Sequence, residues 1–245
     1  MVDFTGKIAL ITGGTRGIGA AIATILESYG AQLIITGTQQ SQIDKLNSAA
    51  PANREYWCAD VRDRASLDAF CTRIEGLKKL DVCINNAGTN RNNPIDAIQN
   101  EDIDAILDIN LRAPLIICRS VSRVMKRHQS GRIVNIASIW GVISKPGRSV
   151  YSASKFGIVG ITKALALDLA ENGILVNAVS PGFTMTELLT NTLSSEEQDS
   201  LAAQVPLKRI AKPEEIAQAV AFLSSDTNSY ITGQNIVADG GFTSA

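Results

Sequence analysis

Little in this 245-residue sequence is available for metal or disulfide chemistry. It holds one histidine, His128, and four cysteines, Cys58, Cys71, Cys83 and Cys118, with neither a C-x-x-C spacing nor a compact cluster. That pattern argues against a zinc site, and each cysteine reads as a small buried hydrophobe in a reducing compartment. An excess of one charge is missing too. With 23 Lys+Arg against 24 Asp+Glu the net charge is -1, so no bulk field draws the chain to nucleic acid or to an acidic membrane. No apolar run approaches a membrane span or a signal h-region, and a cytoplasmic protein is expected. Proline is scarce at 7 residues, and no repeat, low-complexity tract or Pro/Ser-rich linker divides the chain. A single domain over residues 1–245 is expected.

The chain does hold a regular alternation. Short aliphatic runs at Lys7 to Thr12, Gln32 to Thr36, Tyr56 to Ala59, Asp81 to Asn85, Arg132 to Ala137 and Ile174 to Val179 read as strands. Amphipathic stretches near 18–29, 40–48, 64–78, 101–127 and 152–171 separate them as helices. Strand-helix-strand repetition predicts an α/β fold, a doubly wound parallel sheet of the Rossmann type in three α/β/α layers, with its ligand crevice at the carboxyl ends of the strands. Residues 181–206 break the rhythm with Pro-Gly and a polar, helix-prone tract, as a substrate lid around 183–206 would. A last helix begins at Pro213 and leads to the run Asn235 to Val237 and the turn Asp239-Gly240-Gly241.

Directly after the first strand comes Thr12-Gly13-Gly14-Thr15-Arg16-Gly17-Ile18-Gly19. Glycines let a backbone approach a pyrophosphate, and the N–H groups of a helix start hold the anion. The glycines at 13, 17 and 19 depart from G-x-G-x-x-G, so a tight βα turn is an alternative reading. Sites for NAD place a carboxylate at the end of the second strand. Here that stretch reads Ile35-Thr36-Gly37-Thr38-Gln39-Gln40, without an acid. Arg16 and the Thr38 hydroxyl suit a 2′-phosphate instead, so NADP(H) is expected over NAD(H).

Ser138 ends the fifth strand, and thirteen residues on, Tyr151-Ser152-Ala153-Ser154-Lys155 opens a long helix. Tyr151 and Lys155, at i and i+4, share a helix face, which brings an ammonium near a phenol. A free phenol, with pKa near ~10, matches acid/base work poorly, and a neighbouring cation is the physical means of lowering it. Taken alone the Tyr–Lys spacing is equally that of a surface pair.

The chain resembles the short-chain dehydrogenase/reductase family over essentially its whole length. The matching pieces are the glycine loop at 12–19, Asp60-Val61, Asn85-Asn86-Ala87-Gly88, Asn110, Ser138, the Tyr151–Lys155 segment, and Pro181-Gly182 followed by Thr184 and Thr186. The resemblance implies hydride transfer between NADP(H) and a carbonyl or secondary alcohol. It implies Tyr151 as general acid/base, Ser138 as the group that polarises the carbonyl, Lys155 on the nicotinamide ribose, and Asn110 in a water relay. Gly13, Thr15, Arg16, Gly17, Ile18, Gly19 and Thr38 are the cofactor-binding residues expected of the glycine loop and the second strand's end. By the same resemblance, Asp60 and Val61 fall at the adenine, Asn86, Ala87 and Gly88 at a ribose, and Thr184 and Thr186 at the carboxamide, with Pro181 and Gly182 also expected in the cofactor site. It also implies a homotetramer with the helices near 101–127 and 152–171 at one interface.

Within the family, Val205-Pro206-Leu207, Tyr230-Ile231-Thr232-Gly233 and the Asp-Gly-Gly ending resemble 3-oxoacyl-acyl-carrier-protein reductases, although sugar, polyol and alcohol dehydrogenases share them. Carrier docking would want basic residues where Gln129 and Asn172 stand; Lys126, Arg127 and Arg132 lie nearby and are the substitutes. Trp140, Val142, Ile143, Phe183 and Leu188 are candidate pocket-lining residues, and their apolar character suits an acyl or hydrophobic carbonyl. A catalytically silent dinucleotide sensor remains a second reading, but it has no use for Ser138, Tyr151 and Lys155 at working spacing.

Overall fold

The structure is a computed structural model that describes residues 2–244, leaving out the side chains of Leu188 and Thr192. Seven strands form one parallel sheet in the order β3-β2-β1-β4-β5-β6-β7. They are β1 (Ile8–Ile11), β2 (Gln32–Gly37), β3 (Arg54–Cys58), β4 (Val82–Asn85), β5 (Gly131–Ile136), β6 (Ile174–Pro181) and β7 (Asn235–Ala238). The six expected strands are all present, and the run after the last helix supplies the seventh.

Each central strand is apolar on both faces because helices cover both. Ala9 and Ile11 of β1, Val82 and Ile84 of β4, and Val134 and Ile136 of β5 point to one side, where α1 (Gly17–Ser28) and α9 (Pro213–Ser224) pack. Leu10, Cys83 and Ile133, the alternate residues, point to the other, where α3 (Arg64–Glu75), α5 (Ala113–Lys126) and α6 (Ser149–Leu169) lie. The period-2 alternation of a strand thereby divides one sequence between two cores. Cys71, Cys83 and Cys118 are buried among these residues. Burial pushes the Cys118 thiol up to about 12 and Cys83 well above its ordinary value, so these cysteines act as packing groups.

Sequence and structure part most clearly over 101–127. A single helix is expected there, but α4 (Asn100–Leu107) gives way to a π-helical turn, Asp108–Arg112, before α5 begins. Pro114 has no N–H to return to the Asn110 carbonyl as an α-helix requires, and a π turn absorbs the mismatch. The segment after β6 holds two short helices, α7 (Glu187–Thr192) and α8 (Ser195–Gln204). The second is started by a capping box between Ser194 and Glu197. The remaining helix, α2 (Gln40–Ser48), joins β2 to β3. Among the described residues no helix is long and apolar enough to cross a membrane.

Candidate active site

Strand order reverses between β1 and β4, and the crevice opens at their carboxyl ends. The glycine loop closes its floor. Gly13 has φ +63, and a Cβ there would sit 2.9 Å from the Ala87 Cα. A Cβ on Gly19 would lie 2.5 Å from both Asn86 Nδ2 and the Gly13 carbonyl. The loop can therefore follow this path only without side chains at these positions.

Hydroxyls and an amide hold the loop in place. The Thr12 hydroxyl accepts from the N–H groups of Asn86 (3.0 Å) and Ala87 (3.1 Å), while Asn86 Nδ2 donates to the carbonyls of Thr12 and Gly13. The Thr36 hydroxyl accepts from Gly13 N–H at 3.1 Å. The Asn86 side-chain amide and the N–H groups of Asn86 and Ala87 are thus all committed to holding the loop. Thr12 and Thr36 escaped the sequence reading because a buried threonine in a strand looks like any β former.

The helix start after the loop fits a dinucleotide phosphate. Arg16 occupies the N-cap of α1 without a capping side chain, and the first turn contains no acid. Its N–H groups are left without a local acceptor, and the partial positive charge there favours an anion. A Cβ on Gly37 would lie 3.0 Å from Thr15 Cγ2, so the loop abuts the end of β2. The exposed Arg16 and Thr38 flank that junction, and Arg16 makes no ion pair among the described residues.

Farther along the crevice, Asp60 is exposed and its carboxylate accepts from Arg62 N–H at 3.0 Å, while Val61 is buried beside α3. Ile18 packs partly buried against the α1 side of the core. Pro181 ends β6 opposite Ala238, and a Cβ on Gly182 would meet the Asp239 backbone at 2.7 Å. Thr184 is buried and donates to the Gly182 carbonyl at 3.1 Å. Thr186 caps α7 with its methyl 3.6 Å from where a Gly17 Cβ would be, so the start of the 183–206 segment stands over the glycine loop.

Four side chains converge at the end of β5. Lys155 is 5% exposed and donates to the Ile136 carbonyl at 2.9 Å. Gly88 separates it from Asn110: a Cβ on Gly88 would be 3.8 Å from Lys155 Nζ and 3.4 Å from Asn110 Oδ1. Asn110 sits in the π turn and exchanges two 2.8 Å hydrogen bonds with the Thr89 backbone. Its Nδ2 also donates to Ser154 Oγ at 3.2 Å, and Ser154 donates to the Tyr151 carbonyl at 2.7 Å. The Ser138 hydroxyl accepts from Trp140 N–H at 3.2 Å.

The electrostatics differ from expectation. Burial pushes the Tyr151 phenol up, and the Ser138 hydroxyl and Arg148 guanidinium offset only part of this. Lys155, whose ammonium lies 5.6 Å from the Tyr151 ring centroid, is itself lowered to about 8 by burial. Spacing correctly brought the pair together, but it carries no information on desolvation, which is the dominant influence on both groups.

Trp140, Phe183 and Phe242 form an edge-on aromatic wall with centroids 5.1 to 6.5 Å apart. Phe242, far off in sequence, gave no signal. Val142 is 39% exposed, Ile143 is half-buried, and the Leu188 side chain falls outside the described residues. A cavity of about 300 Å³ behind Phe183, lined by Leu207, Arg209, Ala211 and Asp239, touches none of Asn110, Ser138, Tyr151 or Lys155, so the crevice rather than this cavity is the candidate site.

Gln129 and Asn172 do come together, since a Cβ on Gly173 would strike the Gln129 carbonyl at 2.6 Å. The proposed substitutes are largely occupied. Arg127 donates to the Glu75 and Leu77 carbonyls, and Arg132 donates to Asn228 and faces Asp226 at 3.8 Å. Arg132 also lies at the amino end of β5, six residues and roughly 20 Å from Ser138, and Arg127 precedes it at the end of α5.

A doubly wound sheet with this glycine loop and these four side chains defines a dinucleotide-dependent oxidoreductase. The family described as Enoyl-(Acyl carrier protein) reductase matches residues 13–243. The chain is 39% identical over 241 residues to a 3-oxoacyl-acyl-carrier-protein reductase of Rickettsia felis and 38% identical to that of Escherichia coli K12, covering 98% of each chain. It superimposes with TM-score 0.91 and 30% identity on a gluconate 5-dehydrogenase from Burkholderia cenocepacia in complex with NADP and tartrate, covering 100% of this chain and 98% of that one. A short-chain dehydrogenase/reductase family protein gives TM-score 0.90 at 32% identity, with 98% and 99% coverage. This chain belongs to the short-chain dehydrogenase/reductase family.

Proposed function

We propose that the protein is an NADP(H)-dependent reductase of 3-oxoacyl thioesters, with Tyr151 as its general acid. The observation that carries the reading is the convergence of Lys155 and Asn110 on Gly88, with Tyr151 linked to Asn110 through Ser154 and beside the Ser138 hydroxyl, next to a helix start with no acid in its first turn. The full-length similarity to 3-oxoacyl-acyl-carrier-protein reductases supports the acyl substrate, as does the aromatic wall at Trp140. Arg16 and Thr38, at a β2 end that lacks a carboxylate, support the 2′-phosphate form of the cofactor, which the gluconate 5-dehydrogenase also holds.

The loop residues Gly13, Thr15, Gly17, Ile18 and Gly19 with Arg16 and Thr38 would hold the phosphates. Asp60 and Val61 would flank the adenine, residues 86–88 with Tyr151 and Lys155 the nicotinamide ribose, and Pro181, Gly182, Thr184 and Thr186 the carboxamide. Bound there, the reduced cofactor supplies a hydride for the carbonyl carbon. Ser138 donates a hydrogen bond to the carbonyl oxygen, and Tyr151 transfers its proton to that oxygen as the alcohol forms. The elevated phenol suits this direction, since the acid stays loaded at neutral pH. Lys155 stabilises the phenolate left behind, and the Asn110–Ser154 chain leads toward its reprotonation. The 183–206 segment acts as the lid.

Following NADPH absorbance against an acetoacetyl thioester tests the substrate, and a Tyr151→Phe variant tests the acid. We expect loss of turnover by roughly 10³-fold with NADPH binding retained. Turnover preserved in Tyr151→Phe would remove the assignment.

A further inference from the structure

Two cations at the mouth of this site have no partner in the reading above. Lys145 and Arg148 lie between the end of β5 and Tyr151, with Lys145 Nζ 5.1 Å and Arg148 Cζ 5.5 Å from the centroid of the Trp140 ring. Trp140 follows the Ser138-Ile139 step, and the next residue, Gly141, is pressed against the Lys155 backbone, where a Cβ would meet the carbonyl at 2.8 Å. The backbone beside Trp140 is therefore packed on the helix that carries Tyr151 and Lys155, and both cations lie over the Trp140 ring.

Among the described residues neither makes a salt bridge or a side-chain hydrogen bond. Several other arginines are paired, Arg54 with Glu27, Arg73 with Glu55 and Arg209 with Glu215. Stacking on an indole orients a guanidinium but leaves its N–H donors free. Burial first and the Arg148 charge second disfavour the Lys145 ammonium, a cost that an anion between them would offset.

We propose that Lys145 and Arg148 give the enzyme a second class of substrate, free oxo acids, whose carboxylate this pair holds while Ser138 and Tyr151 engage the ketone. The inference rests on the carbonyl-reductase reading and extends its substrate range. The reaction is oxo acid plus reduced nicotinamide dinucleotide plus a proton, giving hydroxy acid and oxidised dinucleotide. The hydride adds to the ketone carbon, the proton passes through Tyr151 to its oxygen, and the carboxylate is unchanged. Arg148 lies three residues before Tyr151 and is close enough for its charge to act on the phenol. The carboxylate must accordingly lie within a few bonds of the ketone, as it does in a 3-oxo acid. Arg127 and Arg132, at the opposite end of β5, cannot serve.

The test compares acetoacetate with methyl acetoacetate, which share a carbon skeleton and differ in charge, using an acetoacetyl thioester as the third substrate. In the wild type we expect kcat/KM for the acid to exceed that for the ester by at least roughly tenfold, as a charge-assisted pair provides, mainly through a lower KM. Added salt should raise KM for the acid and leave the ester unmoved. Arg148→Gln should bring the acid-to-ester ratio near one, Lys145→Gln should reduce it in part, and Arg148→Lys should recover part of it. Using the ratio removes any common effect on Tyr151. A wild type that reduces thioester and ester but prefers neither the acid nor low salt overturns the inference and leaves the reductase reading standing. A ratio unchanged in both Gln variants overturns it as well. Failure of every substrate to oxidise NADPH defeats the reductase reading itself and the inference with it.

Discussion

Lys155 is a cation whose surroundings work against its charge. It is 5% exposed, its hydrogen bond goes to the neutral Ile136 carbonyl, and burial brings it down to about 8. The ammonium is therefore present below pH 8 and is lost as pH rises through that value. Tyr151 moves the other way and remains protonated across the same window. If reduction needs the ammonium beside the developing phenolate, kcat/KM is level on the acid side and falls about tenfold per pH unit above about 8. Lys155→Met should lower the plateau by roughly 100-fold and erase the falling limb. A wild-type profile that stays flat to pH 9.5 would show that the charge on Lys155 is not used. At this scale the sequence was half-legible. The i, i+4 spacing brought Tyr151 and Lys155 to one helix face, but the sign of each pKa shift depends on the walls around them, which β5 and the π turn supply from distant positions.

Secondary structure elements were read well where periodicity was strong and less well where a local conflict overrode it. The strand runs were legible because each is aliphatic on both faces, and α6 because its apolar residues repeat in helical spacing. The π turn at Asp108–Arg112 was hidden inside an apparently continuous helix. Its one sequence mark is Pro114, whose missing N–H falls opposite Asn110, the residue the site uses. The βα turn shows the reverse case. The glycine spacing departs from the G-x-G-x-x-G pattern, yet packing explains Gly13, against Ala87, and Gly19, against Asn86 and the Gly13 carbonyl, while Gly17 is set by its φ of +56. A methyl at 19 must push Asn86 Nδ2 off two carbonyls at once. Gly19→Ala should therefore weaken NADPH binding by roughly tenfold or more, at about 1–3 kcal/mol for the orphaned amide, while far-ultraviolet circular dichroism stays near wild type. Unchanged affinity in a fluorescence titration would mean that the loop is not the phosphate cradle.

For the whole molecule, six of the nine exposed large apolar residues among those described group by element into two sets, while Ile95, Val142 and Leu207 lie apart from both. On α5 and α6, Leu115 and Phe156 are each 47% exposed and Leu167 is 81% exposed. Around α9 and β7, Phe222, Ile236 and Tyr230 are exposed, the last at 96%. Patches of this kind mark surfaces that become covered, and two self-complementary patches on one chain generate a closed tetramer with dihedral symmetry. Light scattering at micromolar concentration should return four times the 26.1 kDa chain mass. Leu167→Glu with Phe156→Glu places charge in one patch and leaves the other whole, so the assembly should halve to dimers that still bind NADPH. The crevice lies at the carboxyl ends of the strands within each chain, and α6 turns the buried Lys155 toward it while Phe156 and Leu167 are exposed. A monomeric wild type would show that these faces stay open to water, and a doubly substituted variant that remains tetrameric would show that α6 is not where the copies meet.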